Sequence, residues 1–256
     1  MSRILLEGCK AGLLAGVVFG LLLLGFVSPL VQRAEVFENA PTLNLVHEPH
    51  DHSHPHPEVM KSEKWERPLL TFVGALLLGV SFGILSSLIL FAALRFRFIS
   101  LERFARQPWW IGLMVGVLGF AIFHGIPALG LRPALPGVAG SEGDHAVRQT
   151  WWLVSVASSL SAFLLFVCFF AWARKRGLAA QSVLFGAVVL LLVFPFFGFG
   201  VPVYSTASVT PLDLQQRFIL VSLVVSAAFW LVLGTIQSYF VYKISKNVPW
   251  SAGFIE

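Results

Sequence analysis

Five histidines fall within ten residues, at His47, His50, His52, His54 and His56, in the stretch HEPHDHSHPHPE. Neutral imidazole is the commonest side-chain metal ligand. Alternate side chains of an extended segment share one face, so His50, His52, His54 and His56 can present their rings together. Pro49, Pro55 and Pro57 oppose helix formation there. Asp51 adds carboxylate oxygens, with Glu48 and Glu58 on the flanks. Such a ligand set suits the borderline divalent ions Co²⁺, Ni²⁺, Zn²⁺ and Cu²⁺, and a flexible tract has no means of selecting cobalt among them. The expected chemistry is reversible capture of divalent metal. The blander readings are a solvated linker or a pH-sensitive loop.

A second candidate is His124, in AIFHGIPALG, the plainest ionisable residue inside an apolar run. An ionisable group at membrane depth is a functional candidate by default. The competing reading is a neutral ring satisfied by a nearby hydroxyl or carbonyl. Pro127 follows three residues later and weakens the helix ladder. Carbonyls freed in this way are expected to join His124 in a metal site, as at the broken helices of transporters. Arg148 and Gln149 open the next apolar run, Gln149 to orient the site and Arg148 to anchor the turn.

The elements that position these residues follow from composition. The chain has 256 residues, 57% hydrophobic and 12% charged, with a mean hydropathy of +0.80. A soluble domain carries about 25% charged residues. Six apolar runs are each long enough to cross roughly 30 Å of hydrocarbon: about 11–31, 69–94, 109–131, 151–172, 182–203 and 218–242. The expectation is an all-α, polytopic, multi-pass protein of the cell (inner) membrane, a single membrane domain over 1–256 with about six transmembrane helices. The fifth run, with Pro195, Gly198, Gly200 and Pro202, is expected to break or end as a half-helix. No cleavable signal is evident. His124 lies about 15 residues from Trp109, roughly 22 Å along the axis, in the outer third.

Orientation follows from the basic residues. Arg3, Lys10, Arg95, Arg97, Arg103, Arg106, Arg174, Lys175, Arg176, Lys243 and Lys246 fall on one side; Arg33, Lys61, Lys64, Arg67, Arg132, Arg148 and Arg217 fall on the other. The richer side is expected to be cytoplasmic. Both termini are then inside, and residues 32–68 form an external His-rich loop. Trp109, Trp110 and Trp172 would mark one membrane interface, Trp151 and Trp152 the other.

Gly8, Gly12, Gly16 and Gly20 recur every four residues on one face of the first run. That spacing allows close backbone approach, either in ordinary packing or as the seam of a homo-oligomer. Gly79/Gly83 and Gly112/Gly116 repeat it, and Ser155, Ser158, Ser159 and Ser161 suit interhelical hydrogen bonds. Cys9 and Cys168 have no pairing spacing and are expected to be free.

Several functions lose support. The sequence contains no GxxxxGK[ST], HExxH or GxSxG, and no Asp or Glu deep in a span. An ATPase, a carboxylate-based proton-coupled pump and an enzyme are disfavoured; the only enzyme-like set is His124, Asp144, His145 and Arg148. No permanently bound cofactor is expected, and the basic residues sit in short gaps that do not suggest nucleic acid. Two readings remain: a metal permease subunit, and a non-transporting scaffold or accessory subunit whose loop buffers metal. A polar cavity converging on His124 would mark the first, a dry packed bundle the second.

Residues 127–152 read PALGLRPALPGVAGSEGDHAVRQTWW. This stretch resembles the CbtA family, the proposed cobalt-transporter subunits. The matching positions are His124, Pro127, Leu129, Gly130, Pro133, Pro136, Gly137, Arg148, Gln149, Trp151 and Trp152. The order of parts agrees along nearly the whole chain, from GLLAG and AEVFENA through WERPLLTFVGALLLGVSFG to RFILVSLVVSAAFWLVLG. Ala134 and Phe196 stand where the family often has an acidic residue and a histidine, and the family is usually described with about five spans. The resemblance implies uptake of cobalt, in support of cobalamin synthesis. It also implies a small single-span, histidine-containing membrane partner, CbtB.

Overall fold

The computed structural model describes residues 2–38, 65–95, 104, 106–135, 142–200 and 210–247. Among these there is no strand. Six helices are long and apolar enough to cross a membrane, one for each run. The chain is a multi-pass membrane protein.

Helix α1 runs over Ser2–Leu22, passes through a π turn at Leu23–Val27 and continues over Ser28–Glu38. Helix α2 is Glu66–Arg95. Helix α3 is Pro108–Phe120, with a π turn at Ala121–Gly125 and a last turn at Ile126–Gly130. Helices α4, α5 and α6 are Glu142–Arg176, Leu178–Gly198 and Leu212–Asn247. Both π turns end two residues before a proline, Pro29 in α1 and Pro127 in α3. Each proline lacks the N–H that would continue the ladder. The widened turn just ahead takes up the mismatch, through Ser28 N–H to Leu23 O and Ile126 N–H to Ala121 O.

The helices differ from the expected runs at their ends. Helices α4 and α6 have 35 and 36 residues, about 52–54 Å at 1.5 Å per residue, and so extend well beyond the apolar stretches. The sequence suggested that the fifth run breaks or ends as a half-helix; helix α5 stays continuous through Pro195 and ends at Gly198 after 21 residues. The carbonyl that a residue-195 N–H would have bonded is that of Leu191, and the Ser158 hydroxyl of α4 donates to it. A polar group from the neighbour replaces the missing backbone donor, so the helix need not open. Between α4 and α5 the connection is Gly177 alone, at φ 95°. A side chain there would be strained.

The glycine ladder of α1 is consumed inside the chain. Gly8, Gly12 and Gly16 press on Ala75, Gly79, Gly83 and Ser87 of α2; a Cβ on Gly8 would lie 2.6 Å from the Gly83 carbonyl oxygen, and one on Gly79 2.7 Å from the Gly16 Cα. This corrects the expectation that the Gly8/Gly12/Gly16/Gly20 face is a homo-oligomer seam: all four glycines are buried, and backbones at this separation leave no room for another helix. Helices α3 and α6 meet in the same way, through Gly112 and Gly116 against Trp230 and Gly234. Helix α1 also packs on α6, with Ala11, Ala15 and Phe19 against Phe229 and Leu233.

Helices α1, α2, α3 and α6 thus form one four-helix unit. Among the described residues, α4 and α5 pack chiefly on each other, and α4 reaches that unit around the end of α3. An ion pair between Glu35 and Arg67, at 2.9 Å, ties the end of α1 to the start of α2, on either side of the segment that carries the histidine tract. Cys9 and Cys168 are free.

Candidate functional site

His124 sits inside the π turn of α3. The turn holds it toward α6, where the Trp230 indole N–H donates to His124 Nδ1 at 3.1 Å. Indole nitrogen only donates, so Nδ1 carries the lone pair and the ring proton is on Nε2. The imidazole is neutral in this arrangement. Phe120, one turn earlier, stacks on it with centroids 6.3 Å apart and planes at 7°.

The surroundings are aromatic. Phe82 of α2 meets Trp230 at 4.7 Å and Phe123 at 4.9 Å between centroids. Phe123 stacks on Trp230 at 5.2 Å, and Phe229 joins Phe19 of α1 at 4.9 Å. Trp230 is 3% exposed. Gly119 lies against its ring, and Gly116 lies under its backbone carbonyl, where a Cβ would come within 2.6 Å of the oxygen. Helices α2 and α3 therefore hold the indole of α6 in one position.

The carbonyls at the proline, which the sequence suggested could join His124, accept from tryptophans of α4. The missing N–H of Pro127 belongs opposite the Phe123 carbonyl, and the Trp152 indole N–H donates to that oxygen at 3.1 Å. Trp151 donates to the Pro127 carbonyl at 3.3 Å, which also accepts Leu131 N–H at 2.8 Å. Trp151 is 2% exposed. It lies over Gly130 and meets Phe196 edge-on at 5.2 Å, so it is an interior packing residue and not the interface marker its position suggested. Phe196 occupies this apolar contact.

Among the other candidates, Pro127 is buried, Arg148 is half-buried on α4 and Gln149 is exposed. The contact to His124 comes from Trp230 of α6. His47, His50, Asp51, His52, His54 and His56 lie outside the described residues. Among the described residues, no group of three or more His, Cys, Asp or Glu could hold a metal ion. His124 is not part of a preformed coordination shell there.

A second polar contact, missed in the sequence, lies one heptad along α6. Gln237 is 1% exposed. It accepts from the Ser86 hydroxyl at 2.5 Å and donates to Ser87 Oγ at 3.0 Å, locking α6 to α2. An amide within the apolar run LVLGTIQSYF was the available signal. For Trp230 the signal was a tryptophan far from either end of its run, where an interfacial role makes no sense.

The comparison with protein families decides what kind of chain carries this arrangement. A family model described as "Probable cobalt transporter subunit (CbtA)" matches residues 1–242. The chain belongs to the CbtA family. No curated protein and no solved structure matches it. CbtA membership covers all six helices, from α1 through nearly all of α6. The CbtA description names a transporter subunit and not an enzyme, and the word subunit implies a partner.

Proposed function

We propose that this CbtA protein is a membrane permease subunit for uptake of a divalent transition metal, with cobalt as the principal substrate and nickel or zinc as competitors. The observation that carries the reading is the family match across residues 1–242. The histidine tract at residues 47–56 gathers metal on the outer face of the cell membrane, with both termini in the cytoplasm. His124 is the candidate ligand at membrane depth. A small single-span, histidine-containing subunit supplies further ligands, and the imported metal serves cobalamin synthesis. Uptake of radioactive cobalt by cells with and without this chain tests the reading, with nickel and zinc as competitors. Chain-dependent cobalt uptake supports it; equal uptake in both strains overturns it.

A second reading has a specific observation in its favour. The aromatic packing of Phe82, Phe123 and Phe229 around Trp230, the hydrogen-bond partner of His124, suits a scaffold or accessory subunit with a metal-buffering loop. Liposomes containing the purified chain separate the two: metal entry into chain-bearing vesicles favours the permease, and entry only with an added partner favours the accessory role.

A further inference from the structure

We infer that Trp230 is a latch on His124: its indole N–H holds the one lone pair with which the imidazole could bind a metal, so metal engages His124 only as this hydrogen bond opens. The inference rests on the reading of His124 as a metal ligand and adds how that ligand is withheld and released.

A neutral imidazole has one nitrogen with a free lone pair and one bearing a proton. Trp230 donates to Nδ1 at 3.1 Å, which fixes the proton on Nε2. A metal ion can take the lone pair at Nδ1 only by displacing the indole. It can bind at Nε2 only if the proton moves to Nδ1, and that sets N–H against N–H, because indole cannot accept. On either route the Trp230 bond is lost. The His124–Trp230 and His124–metal bonds exclude one another by donor and acceptor count, whatever else completes the coordination shell.

The indole is also badly placed to leave unnoticed. It is packed against Gly119, Phe82 and Phe123, which belong to α3 and α2, while Trp230 itself belongs to α6. Opening the latch therefore disturbs the contact between three helices of the four-helix unit. Metal occupancy at His124 is in this way coupled to helix packing, and the resting chain keeps its membrane histidine out of reach of stray metal.

The test is a Co²⁺ titration of the purified full-length chain with His47, His50, His52, His54 and His56 replaced by alanine, followed by the visible absorption of bound cobalt. Trp230→Phe keeps an aromatic ring and removes the donor. We expect it to tighten Co²⁺ binding by about three- to tenfold, the factor that one interhelical hydrogen bond represents. Adding His124→Gln should abolish that binding with or without Trp230→Phe. If binding depends on His124 but Trp230→Phe leaves it equal or weaker, the latch is overturned and the metal reading stands. If neither background binds Co²⁺ through His124, both are overturned. Should Trp230→Phe fail to fold, the indole ¹⁵N–¹H signal of Trp230 in the otherwise unaltered loop variant gives the answer. Added Zn²⁺ shifts it if the latch opens and leaves it in place if the latch is wrong.

Discussion

Trp152 donates its indole N–H to the carbonyl oxygen of Phe123 at 3.1 Å, and Phe123 lies four residues before Pro127. The acceptor is the carbonyl that a proline-free helix would have satisfied by itself. Ser158 does the same for Leu191, four residues before Pro195. One helix, α4, thus repairs proline gaps in the helices on either side of it.

This relationship predicts a specific coupling. Trp152→Phe should destabilise the folded protein by about 0.6–2 kcal/mol, the range for an interhelical hydrogen bond in a membrane. In a Pro127→Ala background the same change should cost much less, because the restored backbone N–H at position 127 can satisfy the Phe123 carbonyl. A double-mutant cycle on unfolding in detergent measures this; additive costs would show that Trp152 acts through packing alone.

Gly79 and Gly83 should tolerate no side chain. A Cβ on Gly83 would lie 2.8 Å from the Gly12 Cα, and backbone cannot give way as a flexible side chain can. Gly83→Leu should separate α1 from α2 and sharply lower the yield of folded protein, whereas Gly74→Leu, where a Cβ meets nothing within 4 Å, should leave it nearly unchanged. Thermal stability in detergent compares the two; equal tolerance would refute the zipper.

The orientation inferred from basic residues places Ser53 outside. With Cys9 and Cys168 replaced by serine, Ser53→Cys should react with an impermeant thiol reagent on intact cells. Reaction only after lysis would invert the topology.

Loss of the histidine tract should matter most when metal is scarce. Replacing His50, His52, His54 and His56 by alanine should reduce cobalt uptake severalfold at low metal and little at saturating metal. Complete loss at saturation would place the tract in the translocation step instead.

His124→Gln keeps a hydrogen-bonding group but removes the imidazole. It should stop uptake while leaving the chain folded and inserted. Wild-type uptake in this variant would leave His124 as a packing partner of Trp230.

The sequence alone determined that the chain is a helical membrane protein with six spans, because an unbroken apolar run of about 20 residues satisfies its backbone in hydrocarbon as a helix and its length is set by bilayer thickness. It also revealed the glycine spacing and marked His124, Trp151 and Trp152 as parts of one arrangement that resembles a known family. It did not reveal partners. Whether Gly8, Gly12, Gly16 and Gly20 face another copy or α2 depends on which helix arrives, and periodicity is the same in both cases. Tertiary structure decided that Trp230 reaches His124 across 106 positions, and that Trp152 donates to the carbonyl freed by Pro127. It also decided that Gln237 clasps Ser86 and Ser87. Each of these is a donor finding an acceptor on another helix. In a medium that offers no water, the pairing is fixed by which groups the packing brings within about 3 Å, and no local pattern in the chain records that.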